Sequence, residues 1–431
     1  MKKYYLHTMG CQMNVHDSER ISGILKAEGY IRAATPREAD LVIFNTCSIR
    51  QKAEQKFFSE LGRLRSLKEK RPDMKIAVAG CIAQQEGAKM LLRAPHIDFI
   101  LGPQNIHRVR EIAQVGSDFI ALEDNPALTD MEFPAEREDT VRAWVNIMYG
   151  CDNFCSYCIV PYTRGREKSR ASSDIVKEIR GLAGRGYKEV TLLGQNVNSY
   201  RSSVGFPELL GQINTIEGIE RIRFVTSHPK DLSDALIYAM RDLKKVCEHM
   251  HLPLQSGSTG VLGKMNRKYT YDEYLRKVEK LKREIPGIAL TTDIIAGFPQ
   301  ETDADHLCTV RALRAIEYDG IFAFRYSPRA GTKASTLEGQ LPDSVKSERL
   351  YEILDVQNEI TDKKNREQEG TIREVLIEGM SEKEKSRQAG RTRTNKIVTF
   401  PHDPANKPGD IITLRIEKAN RHSLEGNPVT S

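Results

Sequence analysis

No stretch of this 431-residue chain approaches the roughly 18 uninterrupted apolar residues of a membrane span. Its opening, Met1-Lys2-Lys3-Tyr4-Tyr5-Leu6-His7, has two lysines but lacks the apolar run of a signal peptide. These two absences argue for a cytoplasmic chain with no membrane partner. Internal repeats and low-complexity tracts are missing too, beyond an alternation of strand-like and helical runs. A small stapled scaffold is excluded by length, which predicts roughly two to four domains. Eight cysteines in such a chain point to thiolate chemistry or metal binding, because cytosolic reductants keep structural disulfides open. An excess of one charge is likewise slight: the net charge is +6, which permits a nucleic-acid partner without requiring one. With 39% apolar and 29% charged residues the chain is globular.

Four segments are legible, and together they predict an α/β protein. Residues 1–120 alternate strands (Lys3 to His7, Leu41 to Asn45, Ile76 to Ala79) with helices, the pattern of an open parallel sheet. Each strand is soon followed by a cysteine, Cys11, Cys47 or Cys81, at roughly one βαβ unit per step. That period places three thiols at the carboxyl edge of one sheet, where α/β ligand sites lie. Residues 121–140 are acidic, proline-containing and aperiodic, and read as a linker. Residues 141–368 carry six strand runs between helices, beginning near Val145, Val190, Ile222, His251, Ile288 and Ile321, which predicts a partial (βα)6 barrel. Within it Thr270-Tyr271-Asp272-Glu273 has the form of a capping box. A charged helix from about Ser344 leads into residues 369–431, rich in short strands, where from Thr371 onward eleven Lys and Arg stand against eight Asp and Glu.

The strongest chemical signal is Cys151-Asp152-Asn153-Phe154-Cys155-Ser156-Tyr157-Cys158, a CxxxCxxC run just after the first barrel strand. A structural zinc site normally needs four ligands, and no fourth partner is near. Three thiolates instead suit a 4Fe-4S cube with one iron left open. An open iron is what chelation of S-adenosylmethionine (SAM) by its amino and carboxylate groups requires. Leu193-Gly194-Gln195-Asn196, Leu254-Gln255-Ser256-Gly257 and Asp293 to Glu301 end barrel strands, the face that carries active sites in βα barrels. Tyr157, Gln195, Asn196, Gln255 and Asp293 are therefore the candidate SAM contacts, against the plainer reading of a core tyrosine and ordinary turns. His249 and His251 alternate on one strand, where structural histidines are commoner than metal pairs. Cys247 and Cys308 stand alone and read as packing residues.

At these residues the sequence resembles the methylthiotransferase family of radical SAM enzymes, in its MiaB type, over nearly the whole chain. The likeness rests on Gly10-Cys11-Gln12-Met13-Asn14, Asp17-Ser18-Glu19-Arg20, Asn45-Thr46-Cys47-Ser48-Ile49-Arg50 and Gly80-Cys81. It continues through the Cys151 run into Pro161-Tyr162-Thr163-Arg164-Gly165-Arg166, then Leu254-Gln255-Ser256-Gly257-Ser258 and Tyr326-Ser327-Pro328-Arg329. Met9 and Gln300 depart from the family pattern, and neither is a cysteine. The resemblance implies that Cys11, Cys47 and Cys81 hold an auxiliary 4Fe-4S cluster beside the one on Cys151, Cys155 and Cys158. It further implies methylthiolation at carbon 2 of dimethylallyladenosine in the tRNA anticodon stem-loop, with SAM as both methyl donor and radical source. An electron donor such as flavodoxin or ferredoxin is implied, and the sulfur donor is left open. The C-terminal segment looks like a small antiparallel β-barrel of the TRAM type, in which Arg391, Arg393, Lys396, Arg415, Lys418 and Arg421 would hold RNA phosphates. Two alternatives stay open on the sequence: the same chemistry on threonylcarbamoyladenosine or a ribosomal protein, and a noncatalytic iron-sulfur RNA-binding sensor.

Overall fold

Strands β1 (Lys3–Met9), β2 (Ile31–Arg32), β3 (Leu41–Thr46), β4 (Lys75–Gly80), β5 (Phe99–Leu101) and β6 (Phe119–Ala121) form a parallel sheet in the order β2-β1-β3-β4-β5-β6. This computed structural model describes residues 1–48, 51–114 and 118–429. Ile49 and Arg50 of the Cys47 motif lie outside the described residues. The central strands β3 and β5 are buried throughout, because helices cover both faces and leave an apolar core on each side. β2, β5 and β6 escape a sequence reading: each is only two or three residues long.

The acidic stretch that follows is strapped down rather than free. Lys26 holds Glu136 at 2.8 Å, Arg32 holds Glu138, and Lys177 holds Glu132 at 2.7 Å. The backbone of Pro134 lies so close to Gly23 that a β-carbon there would collide with it. The linker's negative charge thus finds cations on the domains it joins.

Strand β7 (Arg142–Asn146) opens the second unit, and a short antiparallel pair, β8 (Met148–Tyr149) and β9 (Lys168–Ser169), brackets the Cys151 loop. Five more parallel strands follow: β10 (Glu189–Leu193), β11 (Arg221–Phe224), β12 (His249–His251), β13 (Ala289–Ala296) and β14 (Gly320–Arg325). They lie in the order β11-β10-β7 and β12-β13-β14, and a parallel bridge between Ile222 and Val246 joins the two halves. The six predicted strands are therefore all present as an open, partial barrel. Its core runs from Ala143 to Ile360, the latter on the helix Asp343–Arg366 that packs behind β14. The expected capping box is also formed, with Glu273 N donating to Thr270 Oγ1 at 3.3 Å and Thr270 N to Glu273 Oε2 at 2.8 Å.

The chain ends in a closed antiparallel-rich barrel of β15 (Ile372–Met380), β16 (Arg387–Thr392), β17 (Ile397–Pro401), β18 (Ile411–Ala419) and β19 (Leu424–Pro428) around Val375, Val398, Phe400, Leu414 and Ile416. Its β16–β17 turn is pressed against the amino ends of the large barrel's strands. Arg393 pairs with Glu248 at 2.8 Å and donates to Val246 O, Lys396 pairs with Asp319 at 3.1 Å, and Arg391 pairs with Glu378, which also takes Arg142. From the other side Arg221 donates to Arg391 O, and Arg223 donates to Thr392 O and Arg393 O. Arg391, Arg393 and Lys396, expected to hold RNA phosphates, are thus each paired with a carboxylate at the end of the barrel opposite the two cysteine triads. Arg415 remains exposed, Lys418 is 64% exposed beside Glu425, and Arg421 is paired with Asp362.

A charge reversal tests this closure. Arg393→Glu would set two carboxylates against each other and leave two carbonyls without their donor. We expect a loss of about 2 kcal/mol, below that of a fully buried pair because both side chains keep some water contact. Thermal unfolding of the variant measures it.

Candidate metal centres

The first three cysteines are brought together by strand register. Met9 of β1 lies opposite Thr46 of β3, and Thr46 opposite Gly80 of β4, so the three strands end in line. Cys11, Cys47 and Cys81 follow within two residues and share the carboxyl edge of the sheet, as their period predicts. The fit is tight: Gly10, at φ +148°, lies where a β-carbon would collide with Cys47, and Gly80, at φ +93°, where one would meet the backbone of Thr46.

A buried amide network holds this edge. Asn14 Nδ2 donates to Asn45 Oδ1 at 3.2 Å and Thr46 O at 3.1 Å, while Asn45 Nδ2 donates to Asn14 O at 2.8 Å and Ser18 Oγ at 3.0 Å. Asn14 Oδ1 in turn accepts from Cys11 N at 3.3 Å. The motif residues around Cys11 and Cys47 are thus the scaffold of the thiols. A hydrogen bond with Cys47 outweighs burial and, with the charge of Arg164, brings the Cys11 thiol down to about 6.

The second triad is framed by the barrel. Cys151 N donates to Gly165 O at 3.2 Å, Ser156 N to Met265 O at 3.0 Å, and Ala334 N to Ser156 O at 2.7 Å. Two donors reach the sulfurs: Asn153 Nδ2 to Cys151 Sγ and Arg267 Nη1 to Cys155 Sγ, each at 3.3 Å. Arg267 also donates to Pro253 O at 3.0 Å and to the hydroxyls of Tyr157 and Tyr269. Burial raises the Cys151 thiol and pushes Cys158 up to about 12, so these thiols would need an opposing positive charge, such as a metal's, to ionise.

Among the described residues no three His, Cys, Asp or Glu side chains converge on a single-ion site. A multi-iron cluster asks for something wider, with each thiolate on a different iron. No disulfide joins any of the eight cysteines.

Arg164 links the two centres. Its backbone belongs to the loop that supports Cys151, yet its guanidinium donates to Asp17 Oδ2 at 3.0 Å, with the two side chains 5% and 2% exposed. Burial opposes its charge, and the negative charge of Cys81, Asp17 and Cys11 outweighs that, so the pKa of Arg164 stands well above the ordinary value. Gln104 Nε2 donates to Arg164 O at 3.1 Å and helps line a cleft of about 210 Å³ at this junction. Tyr162 and Arg166 line the same cleft, and both contact the Phe154 ring.

The candidate SAM contacts divide. Both amide atoms of Gln195 are buried without a protein partner, and so are Ser227 Oγ and His228 Nε2 just after β11. Burial, with the charges of Arg267, Lys230 and Lys277, brings His228 down to about 2 and keeps it neutral. Such orphaned atoms at strand carboxyl ends suit a polar ligand. Ser227 and His228 carry no local sequence signal and are missed by the sequence reading.

Asn196 is occupied, donating to Asp231 Oδ2 at 2.7 Å and accepting from His228 N at 3.0 Å. Gln255, at φ +72°, bridges to β13 through its backbone, and Asp293 lies 3.5 Å from His251 Nε2. Tyr157 packs beside Val261, Met265 and Phe298. His249 and His251 both reach Thr291 Oγ1, and Cys247 lies buried near Arg223.

The sequence matches the Radical SAM superfamily over residues 145–313, the TRAM domain over 366–429 and Uncharacterized protein family UPF0004 over 3–102. In fold it is similar to the radical S-adenosylmethionine methyltransferase TsrM from Kitasatospora setae, with a TM-score of 0.55 at 15% identity over 75% of this chain and 73% of that one. The chain is therefore a radical SAM protein carrying a TRAM domain. It is 54% identical to the tRNA-2-methylthio-N(6)-dimethylallyladenosine synthase of Thermodesulfovibrio yellowstonii over 99% of both chains. It is 49% identical to that of Caldicellulosiruptor saccharolyticus over 99% of this chain and 93% of the relative. The chain belongs to this family of synthases.

Proposed function

We propose that the protein adds a methylthio group to carbon 2 of dimethylallyladenosine beside the tRNA anticodon in the cytoplasm, using two 4Fe-4S clusters and SAM. The observation that carries the proposal is the pair of three-thiol sites joined by the buried Arg164–Asp17 contact. Cys151, Cys155 and Cys158 would hold the cluster that binds SAM, and Cys11, Cys47 and Cys81 the auxiliary one. A cluster held on the Cys151 loop would, on one-electron reduction by a donor such as flavodoxin or ferredoxin, supply the chemistry that splits bound SAM into methionine and a 5′-deoxyadenosyl radical.

The protein's part is to hold, orient and exclude. Gln195, Ser227 and His228 present hydrogen-bonding atoms to the SAM headgroup, and His228 stays neutral beside it. Arg267 places a positive charge on the Cys155 sulfur and ties that loop to the end of β12 through Pro253 O. A base stacked in the anticodon loop is out of reach, so the substrate adenosine is extruded into the space between the thiol sites. Of the six basic residues expected to meet RNA, Arg415 and Lys418 face outward from the small barrel and would hold phosphates.

Reconstituted protein given dithionite and SAM is expected to release 5′-deoxyadenosine, and nucleosides from treated dimethylallyladenosine tRNA to gain the methylthio mass. Deoxyadenosine without that product moves the chemistry to another substrate. Iron and RNA binding without deoxyadenosine leaves the sensor reading instead.

A further inference from the structure

The inner face of the large barrel ends in an aromatic wall that nothing above uses. β14 is the last strand of its sheet, with no further strand paired to it among the described residues. Its parallel register sets Phe322 beside Asp293 and Phe324 beside Ile295. Partners in register share a face, and the Phe322 ring meets His251, one strand further, edge to face at 5.9 Å. Ile321 and Ala323 point the other way, into the core behind β14. Phe322 is 53% exposed and Phe324 36%, on the open side of the barrel. Ile295, on the same face, and Tyr157, between Cys155 and Cys158, both pack against the buried cluster of Val261, Met265, Phe298 and Tyr326. The two rings thus stand on a face that carries His251 and Asp293 beside Phe322 and, through Ile295, reaches the cluster on which Tyr157 of the cysteine loop packs.

Two exposed phenylalanines on one face cost solubility, and such a surface takes a ligand with both a flat ring and an aliphatic group. Resting on the function proposed above, we propose that Phe322 and Phe324 are specificity residues: they receive the dimethylallyl group of the extruded adenosine and let the enzyme tell prenylated from unprenylated tRNA. The branched five-carbon group would lie against the rings while the adenine reaches inward along Ile295.

The test compares binding of reconstituted wild type, Phe322→Ala/Phe324→Ala and Phe322→Leu/Phe324→Leu to anticodon stem-loops carrying dimethylallyladenosine or plain adenosine. Wild type is expected to prefer the prenylated RNA by about tenfold or more, the scale on which apolar pockets read a few carbons. The alanine pair should lose that preference while binding plain RNA as before, and the leucine pair should keep part of it. Because both rings are exposed, truncation opens no core, and unchanged iron content and thermal melting check this. A preference that survives in the alanine pair overturns the proposal, as does equal weakening on both RNAs or no preference in wild type. If wild type binds the prenylated RNA selectively but never methylthiolates it, the functional reading falls and the aromatic wall stands.

Discussion

Replacing Cys11 by alanine is expected to leave about four iron atoms per chain instead of about eight, with SAM cleavage retained and methylthio product abolished. The structure separates these outcomes because the two thiol sites grow from different frameworks. Cys11 caps the helix Gln12–Ala27 and rests on the Asn14–Asn45 network of the first sheet. Cys151, Cys155 and Cys158 are braced by Gly165, Met265 and Arg267 of the second unit. Losing one corner ligand leaves two thiolates, too few to hold a cube, while nothing within the Cys151 loop changes. Iron analysis, deoxyadenosine release and nucleoside mass spectrometry on one preparation read all three outcomes. Methylthio product from this variant would remove the auxiliary site from the chemistry.

Both cysteine sites were legible in the sequence for a physical reason: each depends on spacing along one chain, and spacing survives without coordinates. A period of one βαβ unit delivers successive residues to one sheet edge, and the in-register ends at Met9, Thr46 and Gly80 show it doing so. Strand β10 was readable likewise, because it is buried on both faces and carries the apolar run that such burial asks for. What the sequence hid was the choice of partner. Arg391, Arg393 and Lys396 announce positive charge but not which anion takes it, and Glu248, Asp319 and Glu378 lie far away in sequence or on another strand. Asn196 likewise looks free to bind a headgroup until Asp231 and His228 are seen to occupy both ends of its amide. Phe322 lies in a run that reads as an ordinary strand, yet it is 53% exposed on β14, which ends its sheet among the described residues.

Arg164→Met is expected to destabilise the junction of the two units by about 3 to 5 kcal/mol, because it strands the Asp17 carboxylate in a site with almost no water contact. The sign of its pH dependence follows from Asp17. Burial pushes that carboxyl up, but Arg164 and His16 overcome the effect and hold it below the ordinary range. A depressed carboxyl stabilises the fold above its unfolded pKa and loses that contribution as pH falls through the folded value. The gap between wild type and variant should therefore be full at neutral pH and close in acid, as thermal melts across that range would show. The double variant Arg164→Met/Asp17→Leu removes the stranded charge and is expected to regain most of the stability. It should not regain the affinity or potential of the proposed auxiliary cluster, since a cube on three thiolates would carry net negative charge and Arg164 is a cation that feels Cys81 and Cys11. A double variant with full iron and an unchanged reduction potential would make Arg164 a structural strut and nothing more. Iron loss together with restored melting would instead place its guanidinium in the electrostatics of the cluster, a distinction the single substitution cannot make.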